Sequence, residues 1–187
     1  YLSGRYLRKT RVLLQLFNKQ KIATISELKN TLGTTAAMTV FRKLKTLNYI
    51  SSCSHSGKYY SLKRLSEFDD KGLWVFKSVL FSSYGTLAKT IIKLVESSAS
   101  GYSAIELEKL FHLKPNEPLL NLIKRQTICR EKIFGSYVYF SKNSIIKKQQ
   151  ELFRKNTDKE FKIKNMEPQI LMNELKAAII IFFSLLD

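Results

Sequence analysis

The sequence predicts an α+β fold, mainly α, in which a helix–helix–helix–hairpin unit occurs twice in tandem and a C-terminal helical segment follows. Three observations predict it. Sliding the chain along itself by 79 residues aligns, without a gap, Leu13 with Ile92, Leu16 with Val95, Leu28 with Leu107, Leu32 with Phe111, Val40 with Leu119, Phe41 with Leu120, Leu44 with Ile123 and Tyr60 with Tyr139. The same offset carries Thr24-Ile25-Ser26-Glu27 onto Ser103-Ala104-Ile105-Glu106, so the S/T-x-x-E capping box falls twice at one repeat position. Each copy then closes on two β-prone runs around a turn-rich centre.

The elements follow in order. Tyr6, Leu13, Leu16 and Phe17 line one face of a first helix, as Leu87, Ile91, Leu94 and Val95 do in the second copy. The capping boxes open a short second helix, in which hydroxyl and carboxylate each satisfy a backbone N–H. Gly33-Thr34-Thr35 supplies a turn and N-cap for a third helix over Thr35 to Leu47, with Ala37, Val40, Phe41, Leu44 and Leu47 inward. In the second copy Pro118 is expected at the first position of a shorter third helix. Strands are expected at Tyr49 to Cys53 and Lys58 to Leu62 around Ser54-His55-Ser56-Gly57, and at Thr127 to Ile133 and Tyr137 to Ser141 around Gly135.

The domain plan is therefore 1–64, an interdomain segment 65–85 with short strands, 86–141, and a basic connector with an apolar helix over 142–187. Leu73-Trp74-Val75-Phe76 and Val79-Leu80-Phe81 are too apolar for a free linker and should dock the units, with Ser82 or Ser83 helping to cap the next helix. Residues 142–164 hold eight basic and three acidic side chains, which reads as a charged helix or a flexible connector. Beyond Pro168, Ile170, Leu171, Leu175, Ala178, Ile179, Phe182 and Phe183 form an apolar helical pattern that needs a cover, either the repeated units, a second copy, or a further domain.

Charge narrows the partner. Of a net +17, the first 64 residues carry thirteen Lys and Arg against the single acid Glu27, while residues 65–140 carry ten against eight and residues 141–187 nine against six. A field so concentrated points to a polyanion and to salt-dependent binding. The longest apolar run, Ala177 to Leu186, is half the length of a membrane span, and Tyr1 to Arg11 lacks the apolar core of a signal peptide, so a cytoplasmic, nucleoid-associated protein is expected. Cys53 and Cys129 lack CxxC spacing and a histidine pair, so they read as ordinary thiols, with no metal or other cofactor. Asp69-Asp70 reads as a solvated turn.

The order of a capped short helix, a tight turn, a basic third helix and a hairpin resembles the winged helix-turn-helix of bacterial DNA-binding proteins, over roughly Arg5 to Ser141. The resemblance implies two winged-helix domains in tandem, with the third helix in the major groove and the hairpin "wing" on the backbone or minor groove. Carried over, the reading helix is Thr35 to Leu47 and the wing tip Ser54 to Lys58. With the apolar stripe inward, Thr35, Ala36, Thr39, Arg42, Lys43 and Thr46 face DNA; Thr35, Thr39 and Arg42 are assigned to bases and Lys43 to base or phosphate. Arg5, Arg8, Lys9 and Arg11 around the first helix, and His55, Lys58 and Tyr59 on the wing, are assigned to phosphate. The rival is a merely solvated helix face.

The second copy differs where a reading surface would sit. Ala36, Thr39, Arg42 and Lys43 become Pro115, Pro118, Asn121 and Leu122, and Arg8, Lys9 and Arg11 become Leu87, Ala88 and Thr90. Lys124, Arg125, Arg130 and Lys132 remain as secondary backbone contacts, so this copy is either an auxiliary DNA binder or a protein-contact module. The expected function is sequence-specific double-stranded DNA binding, as a transcriptional regulator; the alternatives are the DNA-recognition region of a transposase whose catalytic part lies beyond residue 187, and a protein-interaction scaffold. Enzymatic chemistry is not expected, because no phosphate loop, carboxylate pair or activated nucleophile occurs.

Overall fold

The computed structural model describes residues 2–157 and Lys176, the side chains of residues 2–8 excepted. The apolar pattern expected beyond Pro168, and the side chains of Arg5, Tyr6 and Arg8, lie outside the described residues. The order is α1 (Leu2–Gln20), β1 (Ala23–Thr24), α2 (Ile25–Leu32), α3 (Ala37–Thr46), β2 (Tyr49–Ser51), β3 (Tyr59–Leu62), β4 (Leu73–Phe76), β5 (Val79–Ser82), α4 (Leu87–Ser97), β6 (Tyr102–Ser103), α5 (Ala104–Phe111), α6 (Asn116–Lys124), β7 (Ile128–Ile133) and β8 (Ser136–Ser141). A further helix, α7, spans residues 144–157. The chain is thus mixed α/β, with helices and small antiparallel sheets.

The repeat is structural down to strand register. Sheet order β1-β3-β2 in the first unit becomes β6-β8-β7 in the second. Ala23 pairs with Tyr60 and Tyr49 with Leu62; Tyr102 pairs with Tyr139 and Ile128 with Ser141, each shifted by 79. Thr24 and Ser103 both complete reciprocal capping boxes with Glu27 and Glu106. Both second helices then end on a left-handed residue, Gly33 at φ 60° and His112 at φ 54°, a conformation natural to glycine and tolerated by His.

The gap-free match fails at the first helix. Leu13 and Phe17 are buried in one unit and Ile91 and Val95 in the other, an offset of 78. The second unit absorbs its extra residue in the turn between α4 and β6. There Gly101, at φ 68°, lies so close to the Tyr139 carbonyl that an added Cβ would stand 2.5 Å from it.

Other expectations are corrected at the element ends. Ala36, not Thr35, occupies the N-cap of α3 and makes no side-chain cap; Thr34 Oγ1 instead accepts from the Ala36 N–H at 3.3 Å. Pro118 sits third in α6 rather than first, still within the turn whose N–H groups have no helical partner. Thr86 caps α4 through the Lys89 N–H, and Ser82 instead accepts from the Thr90 hydroxyl at 2.7 Å.

The segment between the units is a two-faced hairpin. Register places Trp74 opposite Phe81 and Phe76 opposite Val79, while Leu73 and Leu80 alternate to the other face. Trp74, Val79 and Phe81 pack with Ile22, Ile50 and Tyr59 of the first unit, and Leu73 and Leu80 join the core of Ile91, Leu94, Val95, Leu107 and Leu119. One face of the hairpin thus joins the second unit's core, and the other packs on the first unit in a cluster of its own. Asp69 holds its entry, accepting from the Lys71 and Leu73 N–H groups at 3.0 and 2.7 Å.

Residues 144–157 form a docked helix rather than a flexible connector. Asn143 caps it through the Ile145 N–H. About two turns on, Gln150 is 1% exposed and enters the second unit: its Oε1 accepts from Ser141 N–H at 3.0 Å, and its Nε2 donates to the carbonyls of Val95 and Ser98 at 2.7 and 2.8 Å. Arg154 reaches both carboxylate oxygens of Glu106 at 3.0 and 3.1 Å, and Lys147 bonds Glu131 at 2.7 Å.

Candidate nucleic-acid interface

Helix α3 is positioned by its inward stripe. Val40 and Leu44 are buried against Leu13, Phe17, Leu28 and Leu32, and Phe41 flanks them in an aromatic group with Tyr49 and Tyr60. Lys43 is corrected by this packing. It follows Val40 by three residues, so it shares the inward face, and it is only 8% exposed. A residue so placed cannot lie along a groove.

The outward face is shifted accordingly. It runs through Thr35, Met38, Arg42, Lys45 and Thr46, all exposed, with Thr39 half-buried and Ala36 exposed at the start. Met38 and Lys45 were not among the expected contacts. Met38 is 66% exposed, and with Phe41, Arg42, Lys45 and Tyr49 it lines an open cleft of about 500 Å³ beside the helix. No acid occurs anywhere in α3. Glu27, the first unit's acid, is engaged by the Thr24 backbone and hydroxyl at 2.7 Å, which holds its carboxyl below the usual range.

The rest of the expected surface divides. Arg11 is exposed on α1 and Lys9 half-buried; His55 and Lys58 are exposed. Only the Cys53-Ser54 end of this β2–β3 tip is bonded to the linker hairpin. Ser54 is buried, its hydroxyl accepts from the Leu80 N–H at 2.9 Å, and the Cys53 N–H donates to the Leu80 carbonyl at 2.8 Å. Tyr59 is half-buried, its ring packed in the cluster of Trp74 and Phe81. His55 turns back, Nδ1 2.9 Å from the Ser54 hydroxyl and its ring edge-on to Tyr59.

In the second unit the matching outward positions are Lys114, Glu117, Asn121, Lys124 and Arg125. Position 43 becomes Leu122, which is buried. Lys124, Arg125, Arg130 and Lys132 are all exposed, as expected, and Arg130 lies over the Tyr137 ring at 4.3 Å. Neither cysteine forms a disulfide. Burial pushes the Cys53 thiol up to about 11, and its Sγ stands 3.2 Å from the Gly85 carbonyl, so at neutral pH it is a protonated donor and not a nucleophile. Among the described residues no cluster of three or more His, Cys, Asp or Glu is placed to hold a metal ion, and no helix is long and apolar enough to cross a membrane.

Fold and site together define a mixed α/β protein of two repeated three-helix, three-strand units, one of them presenting a basic, acid-free helix. Neither the family models, nor the curated proteins, nor the solved structures contain a match to the chain.

Proposed function

We propose that the chain binds double-stranded DNA sequence-specifically as a tandem winged-helix protein, with α3 in the major groove, and that it serves in transcriptional regulation. One observation carries the reading: the same framework occurs twice, and only the first copy sets Arg42, Lys45, Met38 and threonines on an outward helix face without an acid, where the second sets Glu117 and Asn121. Arg42 can take guanine O6 and N7 bidentately, Met38 offers an apolar contact to a thymine methyl, and Lys45 neutralises phosphate. Arg11, Lys58 and His55 supply further backbone contacts. The second unit, held through the linker hairpin, positions the first and adds charge.

Selection of bound duplexes from a random pool tests the reading, followed by titration of the enriched site in rising salt. The reading expects one enriched motif and a linear fall of log affinity with log salt. A pool that stays random, or binding indifferent to salt, sinks it.

A further inference from the structure

Helix α7 has one face docked and the opposite face bare. Lys147, Gln150 and Arg154, at i, i+3 and i+7, share the side that bonds Glu131, the second unit's backbone and Glu106. The other side carries Ile145, Leu152 and Phe153, which are 68%, 64% and 55% exposed. Large apolar residues at i, i+7 and i+8 make a stripe about 12 Å long, and a contiguous exposed patch of this kind marks a contact surface. Lys148 and Lys155, both exposed, flank it seven residues apart, while Glu151, the acid of α7, is turned to Lys147 at 3.4 Å. The bare face is therefore apolar along its middle and basic along one edge.

The chain holds a segment of matching chemistry. Outside the described residues, Leu171, Leu175, Ala178 and Phe182 recur at i, i+4, i+7 and i+11, the spacing of one helical face. Lys176, which is described, is helical and exposed, as a residue off that face should be. Residues 166–187 carry Glu167, Glu174 and Asp187 against that single lysine, so the segment is acidic where the face of α7 is basic. The intervening residues 158–169 can span at most about 40 Å, enough to turn back along a helix about 21 Å long. The α7 of a second copy fits worse, since it offers Lys148 and Lys155 no acid. We propose that residues 170–183 return antiparallel along α7 as a helix and cover the Ile145, Leu152 and Phe153 stripe, with Glu174 at Lys155. The second unit then ends in a helical pair, whatever the first unit binds, so the inference is independent of the DNA-binding reading.

The test uses the full chain with Leu152→Cys, modified by N-ethylmaleimide and followed by the mass of the peptide that holds position 152. Lys89→Cys, exposed on α4, is the reference, and each rate is divided by its rate in denaturant. Position 152 is expected to react about tenfold more slowly than position 89, at every protein concentration, because the segment must first open. Adding Leu175→Asp and Phe182→Asp should restore the fast rate while Trp74 emission stays unchanged. Lys155→Glu should speed the reaction, and Glu174→Lys added to it should slow it again, a readout that leaves both cores intact. Equal rates at positions 152 and 89 overturn the proposal. Protection that fades on dilution overturns it in favour of a second copy, and protection indifferent to all four segment and lysine substitutions overturns it in favour of another cover.

Discussion

Replacing Gln150 by Ala should release α7 from the second unit at a calculable cost. The side chain serves three backbone groups, and two of them, the Ser141 N–H and the Val95 carbonyl, belong to buried residues. A buried polar group left without a partner costs about 1–3 kcal/mol, so two such groups, partly relaxed, amount to roughly 3 kcal/mol. For a chain of this size that is a drop in Tm of roughly 10 °C. Urea denaturation followed by circular dichroism measures it. Gln150→Glu is the sharper comparison, because a carboxylate facing two carbonyls cannot donate to either. Protonation restores one donor, so that variant's raised folded-state pKa makes it more stable as pH falls, the reverse of wild type. A Gln150→Ala loss under about 0.5 kcal/mol would refute the docking of α7 through this residue.

Ser54→Ala removes the acceptor of the buried Leu80 N–H and should cost about 1–3 kcal/mol, with a red shift in emission from Trp74, the single tryptophan, if the linker hairpin loosens. Thr24→Ala and Ser103→Ala should each cost about 1 kcal/mol in urea midpoints. Glu27 is held below its ordinary value of 4.5 by the Thr24 backbone and hydroxyl; Glu106 is held below it despite burial, which alone would raise it, by Ser103 and Arg154. Both contribute stability that is present above 4.5 and lost as pH falls through their depressed values, so Glu106→Gln should flatten part of the acid limb of stability against pH. Cys53, with its thiol at about 11, should resist iodoacetamide at pH near 8 in the folded chain and react at full rate in denaturant.

What was legible in the sequence follows from the range of the forces involved. The capping boxes are set by neighbours a few residues apart and stand as read, whereas β1 and β6, which pair with β3 and β8 from 37 residues away, left no local signal. The phase of the first helix was not legible, since Val12-Leu13-Leu14 and Ile91-Ile92 offer adjacent apolar residues and a one-residue slip turns a helix by about 100°. Lys43 carried a usable signal that its own chemistry masked: the repeat placed Leu122 at its position. Phe41 is only half-buried, so the inward face centres nearer Val40 and Leu44 and leaves Met38 and Lys45 outward. Aromatic residues in strands are ordinarily buried, so nothing marked Tyr137 of β8 as exposed. The docking of α7 runs through polar side chains, Gln150, Arg154 and Lys147, within a charged segment, where no apolar period betrays a buried face.

The central claim, that the first unit's α3 reads DNA and the second unit's α6 does not, is tested most directly by the affinities of Arg42→Ala and Asn121→Ala for the selected duplex and for a scrambled one. Loss of a bidentate base contact should weaken Arg42→Ala by about 1–3 kcal/mol on the selected site and narrow its gap to the scrambled one, while Asn121→Ala stays near wild type. Equal losses, or a larger one at Asn121, would contradict the account.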